Sequence, residues 1–197
     1  MARLSVYSRG SVYLTLIALF LVTVSTWMSW YVISNGYSIA GEYWLDHFDP
    51  IYGGGIETYR AYDALGEAMN MVKLFVVLWF LVALVFLASI LSEDPFANSE
   101  FAVGGALVAV GILMLGYFAW AFPAACDTLY LSGFFSSTTY NDRVYTGGPG
   151  GGFVLAGIAC GVQALAVALR FKTLFSGPQL RKRLEPFEAP VIRTPPE

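Results

Sequence analysis

The side chains best able to do chemistry in this chain lie close together before the second apolar run. They are three carboxylates, one histidine and a later glutamate: Glu42, Asp46, His47, Asp49 and Glu57. Carboxylate oxygens with one imidazole are ligands that divalent metals accept. Their spacing matches no metal-binding loop with a mechanical reason, and an acidic solvated surface explains the same residues. Asp46, His47 and Asp49 stay candidate metal ligands, and neither a catalytic residue nor a cofactor is predicted.

The other reactive or polar side chains stand apart from this cluster. Gln163 is the strongly polar residue deep in an apolar run, where an interhelical hydrogen bond is its expected role. Cys126 and Cys160 are expected at different depths, so both should be free thiols. No apolar run carries Asp, Glu, Arg or His at its middle, which a proton relay or an ion pathway would need.

Composition places the chain in a membrane. Of its 197 residues 57% are hydrophobic and only 13% are charged, and the mean hydropathy is +0.62. A soluble domain carries about twice that charged fraction. The net charge of -3 and the scattered cations give no sign of nucleic-acid binding.

Four apolar runs are long enough to cross a bilayer as helices. They predict an all-α integral membrane protein, a four-helix bundle with two sizeable outer segments. The first run continues past the length of a signal peptide without a cleavage site, so it should be retained. The predicted order is an N-terminus (1–11), span 12–33, outer segment 34–70, span 71–91, a short turn (92–101), span 102–123, outer segment 124–150, span 151–171 and a tail (172–197).

Small residues recur on the third and fourth spans and predict close helix packing. Ala156, Cys160, Ala164 and Ala168 lie four apart, which suggests a seam facing the third span. Replacing Gly161 by leucine should then disrupt this packing. The other predicted packing residues are Gly104, Gly105, Gly111, Gly116 and Gly157.

The distribution of cations predicts the orientation. Eight of the eleven Lys and Arg residues lie in the terminal segments or, in the case of Arg170, at the end of the fourth span next to the tail. The positive-inside rule therefore puts both termini in the cytoplasm, most simply at the plasma membrane, and both long segments outside.

The outer segments have few local signals. In the first, strands or a loop precede the breaker Gly53–Gly55, and a helix from about Ile56 leads into the second span. In the second, Ser136–Asp142 reads as a loop and Thr146–Gly152 as a flexible connection. The cytoplasmic tail is basic and then Pro-rich, which suits anionic lipid or a docking strand.

This layout, with long, short and long connections, resembles the claudin and peripheral-myelin-protein tetraspan superfamily. The closest stretches are ALGEAMNMVKLF, YFAWAFPAACDTLY and GGPGGGFVLAGIACG. The resemblance implies a sheet-forming outer domain and an adhesion or barrier role. The family signature, a Trp, a Gly-Leu-Trp and two bonded cysteines, is reduced here to Trp44, so no binding residue is carried over.

Two functions fit these features best. The first is a non-enzymatic tetraspan that scaffolds, adheres or modulates a larger membrane assembly through its outer segments. The second is an accessory subunit of a multi-subunit membrane enzyme whose cofactor belongs to another chain. Expected partners are lipid and other membrane proteins or a second copy. A third hypothesis is an enzyme or transporter that uses the acidic cluster or Gln163; alanine at Asp46, His47 and Asp49 tests it.

Overall fold

The computed structural model describes residues 6–34, 39–45, 48–50, 56–91, 97–126, 134–140 and 142–176. Within these ranges, side chains are described for 9–34, 41–45, 66–91, 100–122, 124, 134–139 and 142–172. Asp46 and His47 lie outside the described residues, as do most of the basic, Pro-rich tail and the side chain of Asp49.

Four helices form the body of the protein: α1 (Val6–Ser25), α2 (Ile56–Leu91), α3 (Ala97–Cys126) and α4 (Gly151–Ser176). Three of them contain stretches long and apolar enough to cross a membrane, whereas the apolar part of α1 is shorter. The three stretches are Gly66–Leu91, Glu100–Phe122 and Gly151–Lys172, and that of α1 is Arg9–Ser25. The helix expected from Ile56 is the first part of α2, which continues to Leu91 without a break.

The helices form a closed bundle in which each packs against two others, in the ring order α1, α4, α3, α2. The contacts of α3 with α4 show their relative direction. Gly104 lies at Val167 and Gly111 at Cys160, so residue numbers rise on α3 as they fall on α4. The two helices are therefore antiparallel.

Packing of α1 on α4 uses mostly small residues at alternating steps of four and three. The fully buried residues of α1 along this seam are Ser11, Thr15, Ala18, Val22 and Ser25. On α4 they are Gly152, Ala156, Ala159, Gln163 and Ala166. Such a heptad-like step keeps one face of each helix turned to its neighbour. The principal small-residue seam of α4 is thus with α1.

Two hydrogen bonds tie this seam together. The hydroxyl of Ser11 donates to the carbonyl of Ala166 at 2.9 Å. The amide Nε2 of Gln163 donates to the Thr15 hydroxyl at 3.3 Å. The expected interhelical hydrogen bond of Gln163 is present, and its acceptor is on α1. Within the described residues the Oε1 of Gln163 has no hydrogen-bond partner although it is buried.

The predicted seam of small residues spaced four apart on α4 does not stay on one face of the helix; it moves around the helix surface. Successive positions four apart turn by about 40° around an α-helix. Ala156 is accordingly buried, Ala164 half-buried and Ala168 exposed. Gly161 is exposed and has open space around it. The expectation that Gly161→Leu disrupts packing of α3 on α4 is therefore wrong for this bundle.

A leucine should be tolerated at only one of two alanines of α4. Ala159→Leu puts three extra carbons into the fully buried seam against α1, and overpacking of this kind costs about 1–3 kcal/mol. Ala168→Leu, on the exposed side of the same helix, is the matched control and should change stability by less than about 0.5 kcal/mol. Denaturant titration in detergent micelles measures both. Equal effects would contradict the assignment of the seam.

The two outer segments combine into one five-stranded antiparallel sheet, so the all-α prediction is wrong outside the bundle. Strand order is β3-β2-β1-β5-β4. The strands are β1 (Tyr31–Ser34), β2 (Ile39–Tyr43), β3 (Phe48–Pro50), β4 (Ser136–Tyr140) and β5 (Arg143–Pro149). The central pair, β1 with β5, joins residues more than a hundred positions apart. No local sequence pattern reports a pairing of that range.

The first helix ends at Ser25, eight residues before its predicted end at Ile33. Polar groups terminate it: the Ser25 hydroxyl donates to the carbonyl of Val22 at 2.7 Å, and the indole N–H of Trp30 donates to the carbonyl of Ser25 at 2.9 Å. Hydroxyls compete with helix hydrogen bonds in this way. The chain then turns, and the remaining apolar residues form β1.

Two further expectations for the second outer segment are wrong. The stretch expected to be a loop forms β4 and the turn into β5, where Asp142 has a left-handed φ of 61°. Asp is one of the residues that tolerates this conformation in a hairpin turn. The stretch Thr146–Gly152, expected to be flexible, is the end of β5 and the first turn of α4.

Candidate interaction surface

The sheet packs on a cluster of aromatic rings, here called the aromatic base, at the end of the bundle where α1 ends and α4 begins. Its members are Trp30, Tyr31, Tyr43, Phe118, Phe122, Phe134 and Phe153. The ring of Tyr31 lies 4.7 Å from that of Phe122, and Trp30 meets Phe118 edge-on at 5.4 Å. Aromatic pairs add about 0.5–1.5 kcal/mol each to the burial of their area. The cluster therefore fixes the sheet to α3 and α4.

Glycines let the backbone of α4 approach the turn before β1. The amide of Gly150 donates to the carbonyl of Trp30 and that of Gly152 to the carbonyl of Ser29, both at 2.8 Å. A Cβ at Gly150 would overlap the carbonyl oxygen of Ser29. These glycines thus allow a close backbone contact between the sheet and the bundle, here called the joint.

The two faces of the sheet differ in burial. One face is buried and includes Tyr31, Tyr43, Gly147 and Ser136. Its two tyrosines are part of the aromatic base. The opposite face is half-buried or exposed and has mostly hydroxyl and aliphatic side chains. Its members are Val32, Ser34, Glu42, Ser137, Thr139, Val144 and Thr146. This exposed face, together with Phe135, is called the outer face.

Phe135 is the most exposed large side chain of the outer face, at 77%. Its ring lies beside Gly148, with Cδ1 3.9 Å from the position that a Cβ would take there. Next to it, the hydroxyls of Ser34 and Thr146 are hydrogen-bonded at 2.8 Å, and Ser137 is paired with Thr146 in the ladder. An exposed phenylalanine beside a row of hydroxyls offers an apolar anchor with polar surroundings, which is the composition of a protein-binding surface.

At the other end of the bundle, an ion pair joins α3 to α4. The guanidinium of Arg170 donates through Nε and Nη2 to the two carboxylate oxygens of Glu100, at 2.9 Å each. Both side chains are largely buried, and the rings of Phe101 and Phe171 stack beside them at 4.6 Å. Glu100 also lies in the first turn of α3, where a negative charge suits the helix dipole.

The structure separates the small residues that the sequence grouped as packing positions. A Cβ at Gly104 or Gly111 would meet side chains of both α2 and α4 at 3.0–3.3 Å. The half-buried Cys160 lies against Gly111. Four other glycines have no atom of the described residues within 4 Å of the position that a Cβ would take: Gly105, Gly116, Gly157 and Gly161.

The described residues contain no group of three His, Cys, Asp or Glu side chains that could hold a metal. Since Asp46 and His47 lie outside those residues, this does not test the predicted cluster. Cys160, in the described part of the chain, is in no disulfide.

Sequence reasoning missed the residues that matter most for this arrangement. Trp30 and Tyr31 were assigned to a membrane span, and Glu100 to a connecting turn. The sequence had a usable signal for Glu100: it lies at the start of the third apolar run and Arg170 at the end of the fourth, and these two ends meet when the runs pack antiparallel. Comparison with protein families, with curated proteins and with solved structures finds no match to this chain.

Proposed function

We propose that this chain is a non-enzymatic, four-span membrane protein that binds neighbouring membrane proteins through the outer face of its sheet. The observation that carries the proposal is the sheet itself: both outer segments contribute to one surface, on which Phe135 is exposed just before the edge strand β4. A surface fixed so firmly to the bundle presents a preorganised partner site, which lowers the entropic cost of binding.

The membrane placement rests on the ends of the helices. On α3, Glu100 and the exposed Trp120 are 20 positions apart, about 30 Å along a helix and close to the thickness of the hydrocarbon core. Tryptophan favours the interface, and Trp27 is exposed just past α1. The seam puts α1 beside α4 from Ser11 to Ser25, which supports α1 as the fourth span.

The orientation follows from charge. The sheet lies at the end with few cations, and Arg9, Arg170 and Lys172 lie at the other. The positive-inside rule then places both termini in the cytoplasm and the sheet outside, most simply at the plasma membrane. The likeness to the claudin superfamily stays a prediction, and the proposed function does not depend on it.

Purification from native membranes in mild detergent tests the function. The tagged protein should bring down a fixed set of membrane proteins, identified by mass spectrometry. Phe135→Ala should lower the recovered partner roughly tenfold, as truncation of an interface anchor does. Phe20→Ala, the same truncation at an exposed ring of α1, is the matched control and should leave recovery unchanged.

The absorption spectrum of the same eluate distinguishes the alternative, an accessory subunit of a membrane enzyme. Haem or metal bands in stoichiometric companions would favour that alternative, with the outer face as the docking surface. Recovery of no companion, or equal recovery with Phe135→Ala and the wild type, would contradict binding through the outer face.

A further inference from the structure

The two edges of the sheet differ in how well they resist further pairing. The β3 edge is three residues long and contains Asp49 and Pro50, the short length, charge and proline that protect natural edge strands. The β4 edge, Ser136–Tyr140, has no charge, no proline and no register shift against β5. In the described part of the chain, no strand lies beyond it. Among the residues that the structure describes, the sheet thus has one protected edge and one open edge.

The hairpin register identifies the backbone groups that point outward from β4. Tyr140 pairs with Arg143 across a two-residue connection, and such a hairpin closes on a hydrogen-bonded pair. Because hydrogen-bonded and non-hydrogen-bonded pairs alternate, Thr138 bonds to β5. Ser137 and Thr139 then point their N–H and C=O groups away from it.

We infer that the open edge of β4 pairs with β4 of a second copy of this chain, antiparallel about Thr138. The strand is suited to pair with itself because it has no charge to repel its copy. The hydroxyl row of Ser34, Thr146 and Ser137 ends at this edge. In the pair, Ser137 faces Thr139 of the second copy, so the row continues across the interface. Such cross-strand hydroxyl pairs are favourable in sheets.

The helix next to this edge also leaves room for a copy. Phe134, two residues before β4, packs on Phe118 of α3. The exposed side of α3 has Gly105, Ala109 and Gly116, and open space around the glycines would permit close approach of another helix. The pairing rests on the membrane placement in the proposed function, since two copies in one membrane hold β4 at the same height.

Disulfide trapping of the full-length protein, reconstituted alone into phosphatidylcholine vesicles, tests the pairing. In a Cys126→Ser, Cys160→Ala background, Thr138→Cys should cross-link most of the protein under mild oxidation. The two Thr138 positions would form a non-hydrogen-bonded pair with Cβ atoms about 4.5–5.5 Å apart. Val144→Cys, exposed on the neighbouring strand β5, is the matched control and should not cross-link.

A proline substitution in β4 distinguishes cross-linking through strand pairing from cross-linking through random encounter. Thr139→Pro removes an N–H that points away from β5, so the hairpin should persist while pairing with a copy is blocked. Added to the Thr138→Cys chain, it should lower cross-linking at least fivefold with an unchanged circular dichroism spectrum. Absence of the cross-link, or a cross-link that survives Thr139→Pro, would overturn the inference. Neither result would alter recovery of a partner through Phe135, so the proposed function is judged separately.

Discussion

Replacing Glu100 by alanine is expected to destabilise the bundle by about 3–5 kcal/mol. The change leaves the guanidinium of Arg170 buried without the two charge-assisted hydrogen bonds that it now makes at 2.9 Å. Removing one partner of a buried, hydrogen-bonded ion pair accounts for a loss of this size. SDS titration of the protein in mixed micelles measures the free energy of unfolding.

The double variant Glu100→Leu with Arg170→Met separates the ion pair from packing. Because it removes both charges and keeps apolar volume, it should recover most of the lost stability. Glu67→Gln, at an exposed carboxylate of α2, is the control and should change stability by less than about 0.5 kcal/mol. If Glu100→Ala behaved like Glu67→Gln, the buried pair would not hold α3 to α4.

Replacing Gly152 by alanine should lower the free energy of unfolding by on the order of 3 kcal/mol or more, although alanine is the better helix former. Its Cβ would lie 2.5 Å from the ring of Trp30 and 2.7 Å from the carbonyl oxygen of Ser25. The second neighbour is backbone, which cannot rotate away. The joint between sheet and bundle would have to open, so the signal of the aromatic base in near-ultraviolet circular dichroism should fall with stability.

Gly161→Ala on the same helix is the matched control. Gly161 is exposed with nothing within 4 Å of a new Cβ, so the substitution should stabilise α4 by about 0.5–1 kcal/mol. Thermal unfolding in one detergent compares the two variants directly. Similar melting temperatures would mean that α4 does not approach the turn before β1 as closely as described.

Hydropathy alone located the apolar helices because bilayer crossing depends on composition over some twenty consecutive residues. It found the helical stretches of α2, α3 and α4 to within a few residues. It failed at α1, where an apolar run continues through Trp30 and Tyr31 although the helix ends at Ser25. Strand and helix are both compatible with a short apolar run, and only the partner of that run decides between them.

The packing faces show the same limit. The small residues of α4 were identified from the sequence, but the face that they present was assigned to α3 when the closest seam is with α1. Gly104 and Gly111 on α3 do meet both neighbours, whereas Gly105 and Gly116 face open space. Several faces of these helices are rich in glycine and alanine, so composition could not show which face packs against which neighbouring helix.

By itself, the sequence determined that the chain is apolar enough for a membrane and where most of its helices lie, because these properties are sums over neighbouring residues. Only the tertiary structure decided that two outer segments form one sheet, that Glu100 meets Arg170, and that Gly152 must be glycine. Each of these depends on residues 70 to 127 positions apart along the chain. Contacts at such separations follow from how the whole chain packs, which no local pattern records.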